Sequence, residues 1–262
     1  AATDVFAVDN VTTSTSKAIS NFPLDFAIAS SGSHYSLTRL TGTYIMTTNN
    51  TGAEFDWGGG RPEFDHMDGV SLAADMNGYL LHMWKRAKGF MDVVAYSGTG
   101  SARTVPHSLG VPPEMIWAKR RSTSRDWNVY AAPLGNNKIR ELNTSEAFIT
   151  SSSWNNTDPT STVFSVSGGS DNNSSGDTYI AYLFATLAGV SKVGSYTGNG
   201  SNQTIDCGFS AGSRFILIKR TDATGDWYFW DSVRGIVAGN DPHLSLNTTA
   251  AQVTNDDSVD PH

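Results

Sequence analysis

Asp126, Asp226 and Asp231 stand beside aromatic residues, and with the histidines His34, His66, His82, His107, His243 and His262 they are the side chains best suited to move protons. Their spacing builds no known constellation. There is no H-E-x-x-H, no G-x-S-x-G turn, and no glycine loop leading into Lys and Ser or Thr. Asp126 and Asp226 each precede a Trp, where an Asp at a hairpin end accepts backbone N–H groups. The turn from Asp171 to Gly176 spaces its oxygen side chains as a calcium loop begins, but Tyr182 occupies the place of the bidentate Glu. A plain Asx turn is expected there. His66, between Asp65 and Asp68, reads as a solvated residue of an exposed loop that starts at Gly58. The expectation is no catalytic residue, no metal and no cofactor.

Binding chemistry is better represented. In Trp227-Tyr228-Phe229-Trp230 strand alternation places Trp227 and Phe229 on one face and Tyr228 and Trp230 on the other. One face is core. The other offers rings for stacking on sugars or for burial against a neighbouring unit or subunit, and such a contact is the preferred reading. The earlier copy carries Asn128 and Tyr130 on that face, so the candidate contacts are Tyr130, Trp227, Tyr228 and Trp230. The pairs Lys119-Arg120 and Lys219-Arg220 end apolar strands, and alternation turns one member of each inward. Asp126 and Asp226, across the hairpin, are the expected ion-pair partners of Arg120 and Arg220.

The elements that position these residues repeat. From Val93 to Trp127, eleven residues recur unchanged 100 positions later, among them Tyr96, Gly98, Gly100, Lys119, Arg120, Asp126 and Trp127. Tyr79 to Gly89 matches Tyr179 to Gly189 at the same offset. Leu142-Asn143-Thr144 returns as Leu246-Asn247-Thr248, displaced by four further residues that belong in a loop. The spacing predicts three units, at 1–90, 91–190 and 191–262, the first divergent and the last lacking a counterpart of the Thr178 to Ala185 strand. Each alternating segment is short, is bounded by Gly, Pro or Asn, and pairs with its neighbour as a hairpin, as Glu114 to Arg121 does with Asp126 to Tyr130. The fold class is therefore all-β, with tandem antiparallel β-sandwich units of roughly six or seven short strands. The chain is expected to continue past His262.

Composition narrows the partners. Only 18 Lys and Arg stand against 25 Asp and Glu, for a net charge of -7, so no basic footprint for nucleic acid exists. No apolar run has the length of a membrane helix, and no membrane insertion is expected. The opening AATDVF lacks the features of a signal peptide, and the lone Cys207 suits synthesis in a reducing cytoplasm. Repetition of a small module multiplies contact surface rather than reactions, which points to adhesion or architecture.

The stretches Tyr196-Thr-Gly-Asn-Gly-Ser201, Phe215-Ile-Leu-Ile-Lys-Arg220, Gly225-Asp-Trp227 and Asp171 to Tyr182 resemble a repeat family of tail and fibre proteins of tailed bacteriophages, notably of marine and cyanobacterial hosts. The resemblance implies a virion tail component, assembled in the host cytoplasm and built of beaded β modules, commonly as a homotrimer. It implies attachment to a host cell-surface glycan or protein, together with contacts to other tail proteins. A purely architectural virion part and a polysaccharide-degrading tailspike are the alternatives.

Overall fold

The computed structural model describes residues 1–262 apart from 12–16, 60, 73–76 and 261–262. Its first unit holds β1 (Phe6–Asn10), β2 (Lys17–Ile19), β3 (Phe26–Ser31), β4 (Ser33–Thr38), β5 (Tyr44–Thr47), β6 (Phe55–Asp56), β7 (Gly69–Ser71) and β8 (Leu80–Trp84). Six of these strands form an antiparallel sheet in the order β1-β8-β3-β4-β5-β6. The β2–β7 pair closes a sandwich over one face of that sheet, with Ala18 and Val70 packed into a core with Ala27, Leu37 and Leu81.

The second unit repeats this plan with β9 (Met91–Ser97), β10 (Arg103–Pro106), β11 (Met115–Arg120), β12 (Trp127–Ala131), β13 (Lys138–Glu141), β14 (Ile149–Thr150), β15 (Val163–Val166) and β16 (Thr178–Phe184). The sheet order β9-β16-β11-β12-β13-β14 is that of the first unit, strand for strand. The β10–β15 pair covers it, and Val105, Phe164 and Val166 meet Ile116, Ala118 and Leu183. A short helical turn, α1 (Ser170–Asn173), precedes β16. The third unit has β17 (Phe215–Lys219), β18 (Trp227–Asp231) and β19 (Leu244–Ser245), in that order, while residues 192–214 form no strand. The extra residues seen in the sequence fall between β18 and β19, at 232–243.

A string of separate beads is not what the strands build. The inner face of every main sheet is also apolar, so Phe26, Trp117, Tyr182, Trp227 and Phe229 from all three units share one core. Strand alternation makes this possible, since Trp117 points into the shared core while its neighbours Ile116 and Ala118 serve the private one. No helix among the described residues is long and apolar enough to cross a membrane.

Candidate functional site

Strand register identifies equivalent positions. Lys119 pairs with Trp127, Lys219 with Trp227, and Ser30 with His34. On the next strand, Glu141, Ser245 and Thr47 face Asn128, Tyr228 and Tyr35. The Asp-Trp and Leu-Asn motifs recur because they clasp each other. The Trp127 backbone N–H donates to Asn143 Oδ1 (2.9 Å), whose amide donates to Asp126 (2.8 Å). Trp227, Asn247 and Asp226 repeat both bonds at 2.8 Å.

Each clasp presents its indole to the preceding unit. Trp127 Nε1 donates to the Thr47 carbonyl (2.8 Å), and Trp227 Nε1 donates to the equivalent Glu141 carbonyl (3.2 Å). Lys119 and Lys219, the inward members of the Lys-Arg pairs, act beside them. Lys119 Nζ donates to the carbonyls of Thr51 (3.2 Å) and Arg120 (2.9 Å). Lys219 Nζ donates to those of Ser145 (2.8 Å) and Gly225 (2.5 Å). Lys119 is fully buried, and burial pushes its ammonium down to about 8.

The arginines behave differently from the sequence expectation. Arg120 pairs with Asp177 (3.2 Å) and Arg220 with Asp222 (2.8 Å), whereas Asp126 and Asp226 are taken up by the asparagines. The carboxylates expected to pair with them are already held by Asn143 and Asn247, and Arg120, opposite Tyr179 on β16, reaches Asp177 instead.

The third junction, between the first and last units, closes the ring with other residues. His34 takes the Trp position and Ser30 the Lys position, and their side chains share a hydrogen bond of 2.9 Å. The carbonyls of Ser245 and Thr248 face the imidazole, but the ring is shorter than an indole and Nε2 has no partner at bonding distance. Thr48 Oγ1 instead donates to the Leu246 carbonyl (3.0 Å). His82, in the place of Tyr182, packs on Phe215 and Phe229 at 5.3 and 5.4 Å. Tyr182 likewise packs on Phe26 at 4.3 Å and shares a hydrogen bond with Ser36 (2.7 Å).

This junction holds a buried polar cluster. His82 Nε2 donates to Asp231 Oδ2 (3.1 Å), which also pairs with Arg234 (2.5 Å). Burial, reinforced by the charges of His82 and Arg234, pushes His34 down to about 4. Burial likewise lowers His82, against the pull of Asp231. For Asp231 burial acts upward, and the hydrogen bond and charge of His82, with Arg234, hold the carboxyl below its usual range. His34, His82 and Asp231 have no exposed surface, so a proton can rest here but no substrate can arrive.

The aromatic candidates are interior. Trp227 is 2 % exposed at its inter-unit contact, and Tyr130 is buried against Trp154 at 5.8 Å. Trp230 is 4 % exposed because the 232–243 loop returns His243 to its ring (5.2 Å), and the same imidazole meets the edge of half-buried Tyr228 (5.4 Å). The outer face is therefore no open platform for sugars. Where the sequence reading expected an Asx turn the structure has the helical turn α1, in which Asp171 pairs with Arg125 and Asn172 accepts from Asn128. Glu63, Asp65 and His66 do come within 4.8 Å of one another in the first unit's loop.

Apolar side chains are exposed in loops, as at Met67, Val233 and Val237, and also at a recurring position of the sheet edges. Phe55 lies opposite Ile45, Ile149 opposite Ile139, and Val253 opposite His243, three equivalent register positions. They are 45 %, 50 % and 45 % exposed. Sequence reasoning missed them because their types differ and no offset of 100 relates them.

A family model described as a domain of unknown function (DUF7483) matches residues 84–261, which span the second and third units. No curated protein and no solved structure matches the chain.

Proposed function

This chain belongs to the DUF7483 family, and we propose that it is a structural and adhesive component of a bacteriophage tail or tail fibre. In this reading it sits in the virion and binds a host-surface glycan or protein without catalysis. The observation that carries the reading is the threefold recurrence of one exposed apolar edge residue, Phe55, Ile149 and Val253, on a single closed body. Three equivalent weak contacts on a rigid frame gain avidity, and a reaction centre gains nothing from such copying. The burial of His34, His82 and Asp231 supports binding over hydrolysis.

The test is a glycan array and a host-cell adsorption assay with the intact chain. Saturable binding is expected, with a loss of at least about tenfold in the triple variant Phe55→Ser, Ile149→Ser, Val253→Ser. Binding unchanged in that variant removes the edges from the assignment. No binding to any sugar or cell, with normal incorporation into particles, replaces attachment by architecture, and release of reducing sugar ends the non-enzymatic reading.

A further inference from the structure

The connection between β6 and β7 differs from its counterpart in charge. In the second unit, residues 151–162 between β14 and β15 carry a single ionisable side chain, Asp158, which accepts from the Asn136 amide (2.9 Å). Residues 57–68 make a connection of the same length but carry Arg61, Glu63, Asp65, His66 and Asp68. The sandwich therefore closes without these groups.

The first unit's loop is held in place on both sides of them. Glu63 and Ser71 exchange backbone hydrogen bonds of 2.9 and 3.0 Å, and the Asp68 carbonyl accepts from the backbone N–H groups of Ser20 (2.8 Å) and Asn21 (3.1 Å). Between these anchors Pro62 and Phe64 are buried, while Glu63 and Asp65 alternate outward. The Arg39 guanidinium fixes Phe64 by donating to its carbonyl and lying over its ring (5.8 Å). Arg61 Nη1 donates to Glu63 Oε2 (2.9 Å), which orients that carboxylate. His66 follows Asp65 directly, and one donor atom from each of Glu63, Asp65 and His66 lies within 4.8 Å of the other two.

A second observation points to an ion. His66 Nε2 is shut off from solvent and has no hydrogen-bond partner, although a buried polar nitrogen is ordinarily satisfied. Asp65 Oδ1 stands 3.7 Å from it, too far for a hydrogen bond. Two ligands bound at ~2.0–2.2 Å to one tetrahedral zinc ion stand about 3.4 Å apart, so a shared cation accounts for a spacing that a shared proton does not. The sequence reading took His66 for a solvated residue, and the structure encloses its Nε2 instead.

We propose that Glu63, Asp65 and His66 bind one zinc ion. An imidazole nitrogen beside two carboxylates favours zinc over calcium or magnesium, which take oxygen ligands. Three protein ligands leave the fourth position to water or to an oxygen from outside, on the side where the Asp65 side chain is 82 % exposed. That exposure also lets Asp65 swing the short distance that closes the ligand set.

The test is calorimetry of the full chain with zinc chloride, joined to X-ray absorption at the zinc edge. Cys207 also offers zinc a ligand, so both are carried out in a Cys207→Ser background. One saturable site is expected, with nitrogen and oxygen ligands at ~2.0–2.2 Å. His66→Ala and Glu63→Gln should each weaken binding at least about tenfold and leave the metal-free melting curve unchanged, whereas His107→Ala in the second unit should bind as the parent does. The absorption spectrum needs no ligand variant and reads the site directly. Zinc held as tightly by His66→Ala, zinc displaced by equimolar calcium, or a spectrum without a nitrogen ligand overturns the proposal.

Discussion

Tyr96-Ser-Gly-Thr-Gly100 and Tyr196-Thr-Gly-Asn-Gly200 are nearly the same sequence in two different states. The first is a strand and tight turn locked under α1 and β16, and the second is an exposed segment without ladder bonds. Strand propensity alone did not order the copy. A short strand loses more in conformational entropy than its own hydrogen bonds return, so it forms only when a neighbour completes both the ladder and the apolar face. By contrast, the Trp127 and Trp227 hairpins are equally formed, because each leans on a preceding unit that is present.

This difference can be broken or sharpened by substitution. Trp127 is enclosed by the preceding unit and by Tyr182 (6.1 Å), so Trp127→Ala should cost about 3–5 kcal/mol in urea unfolding. Trp227→Ala, beside a cavity of about 90 Å³ lined also by Phe148 and Leu217, should cost about 1–2 kcal/mol less. Equal losses would mean that this cavity leaves the third unit no weaker.

The junctions should separate by pH. The unfolded chain holds a proton on Lys119 up to about 10.5, while the folded site releases it near 8. Stability from this residue is thus present above pH 10.5 and lost as pH falls through 8, a change of up to about 3 kcal/mol. Lys119→Met should flatten that slope in unfolding measured from pH 7 to 11. On the acid side, His34 is held neutral down to about 4 against an ordinary 6.5. Stability is therefore present above pH 6.5 and is lost as pH falls towards 4, again by up to about 3 kcal/mol, and His34→Gln should remove the loss. Hydrogen exchange at pH 5 should show the contact between first and last units loosening before the two tryptophan junctions. Simultaneous loosening of all three would discard that ordering.

The glycines give the smaller contrast. Gly98→Ala must move the Ser174 carbonyl and should cost about 2–3 kcal/mol, while Gly198→Ala should change stability by less than about 0.5 kcal/mol. Thermal melts of the two variants check this directly.

Much of the architecture was legible in the sequence because period-two alternation and turn residues are local signals. The strands at 115–120, 127–131 and 178–184 follow from them, and the offset of 100 exposed the repetition. Lys119 was legible as half of an inward-facing choice, but one of its two carbonyl partners, that of Thr51, comes from another unit, 68 residues away. The first unit's hairpin hid its kinship, since His34 and Ser30 stand where Trp and Lys stand later and the spacing is shorter. The exposed aromatic face predicted from Tyr228 and Trp230 failed because the fold of the 232–243 loop, which covers it, depends on where Asp231 and Asp241 find donors.

By itself the sequence determined that this chain forms short antiparallel strands in repeated units, for the pattern of apolar residues leaves no other way to hide them. Only the tertiary structure decided that those units close around one core and that the histidines meet at the closing junction. Those outcomes rest on contacts between residues far apart along the chain, and the energy of such a contact depends on which surface arrives opposite, which no local pattern encodes.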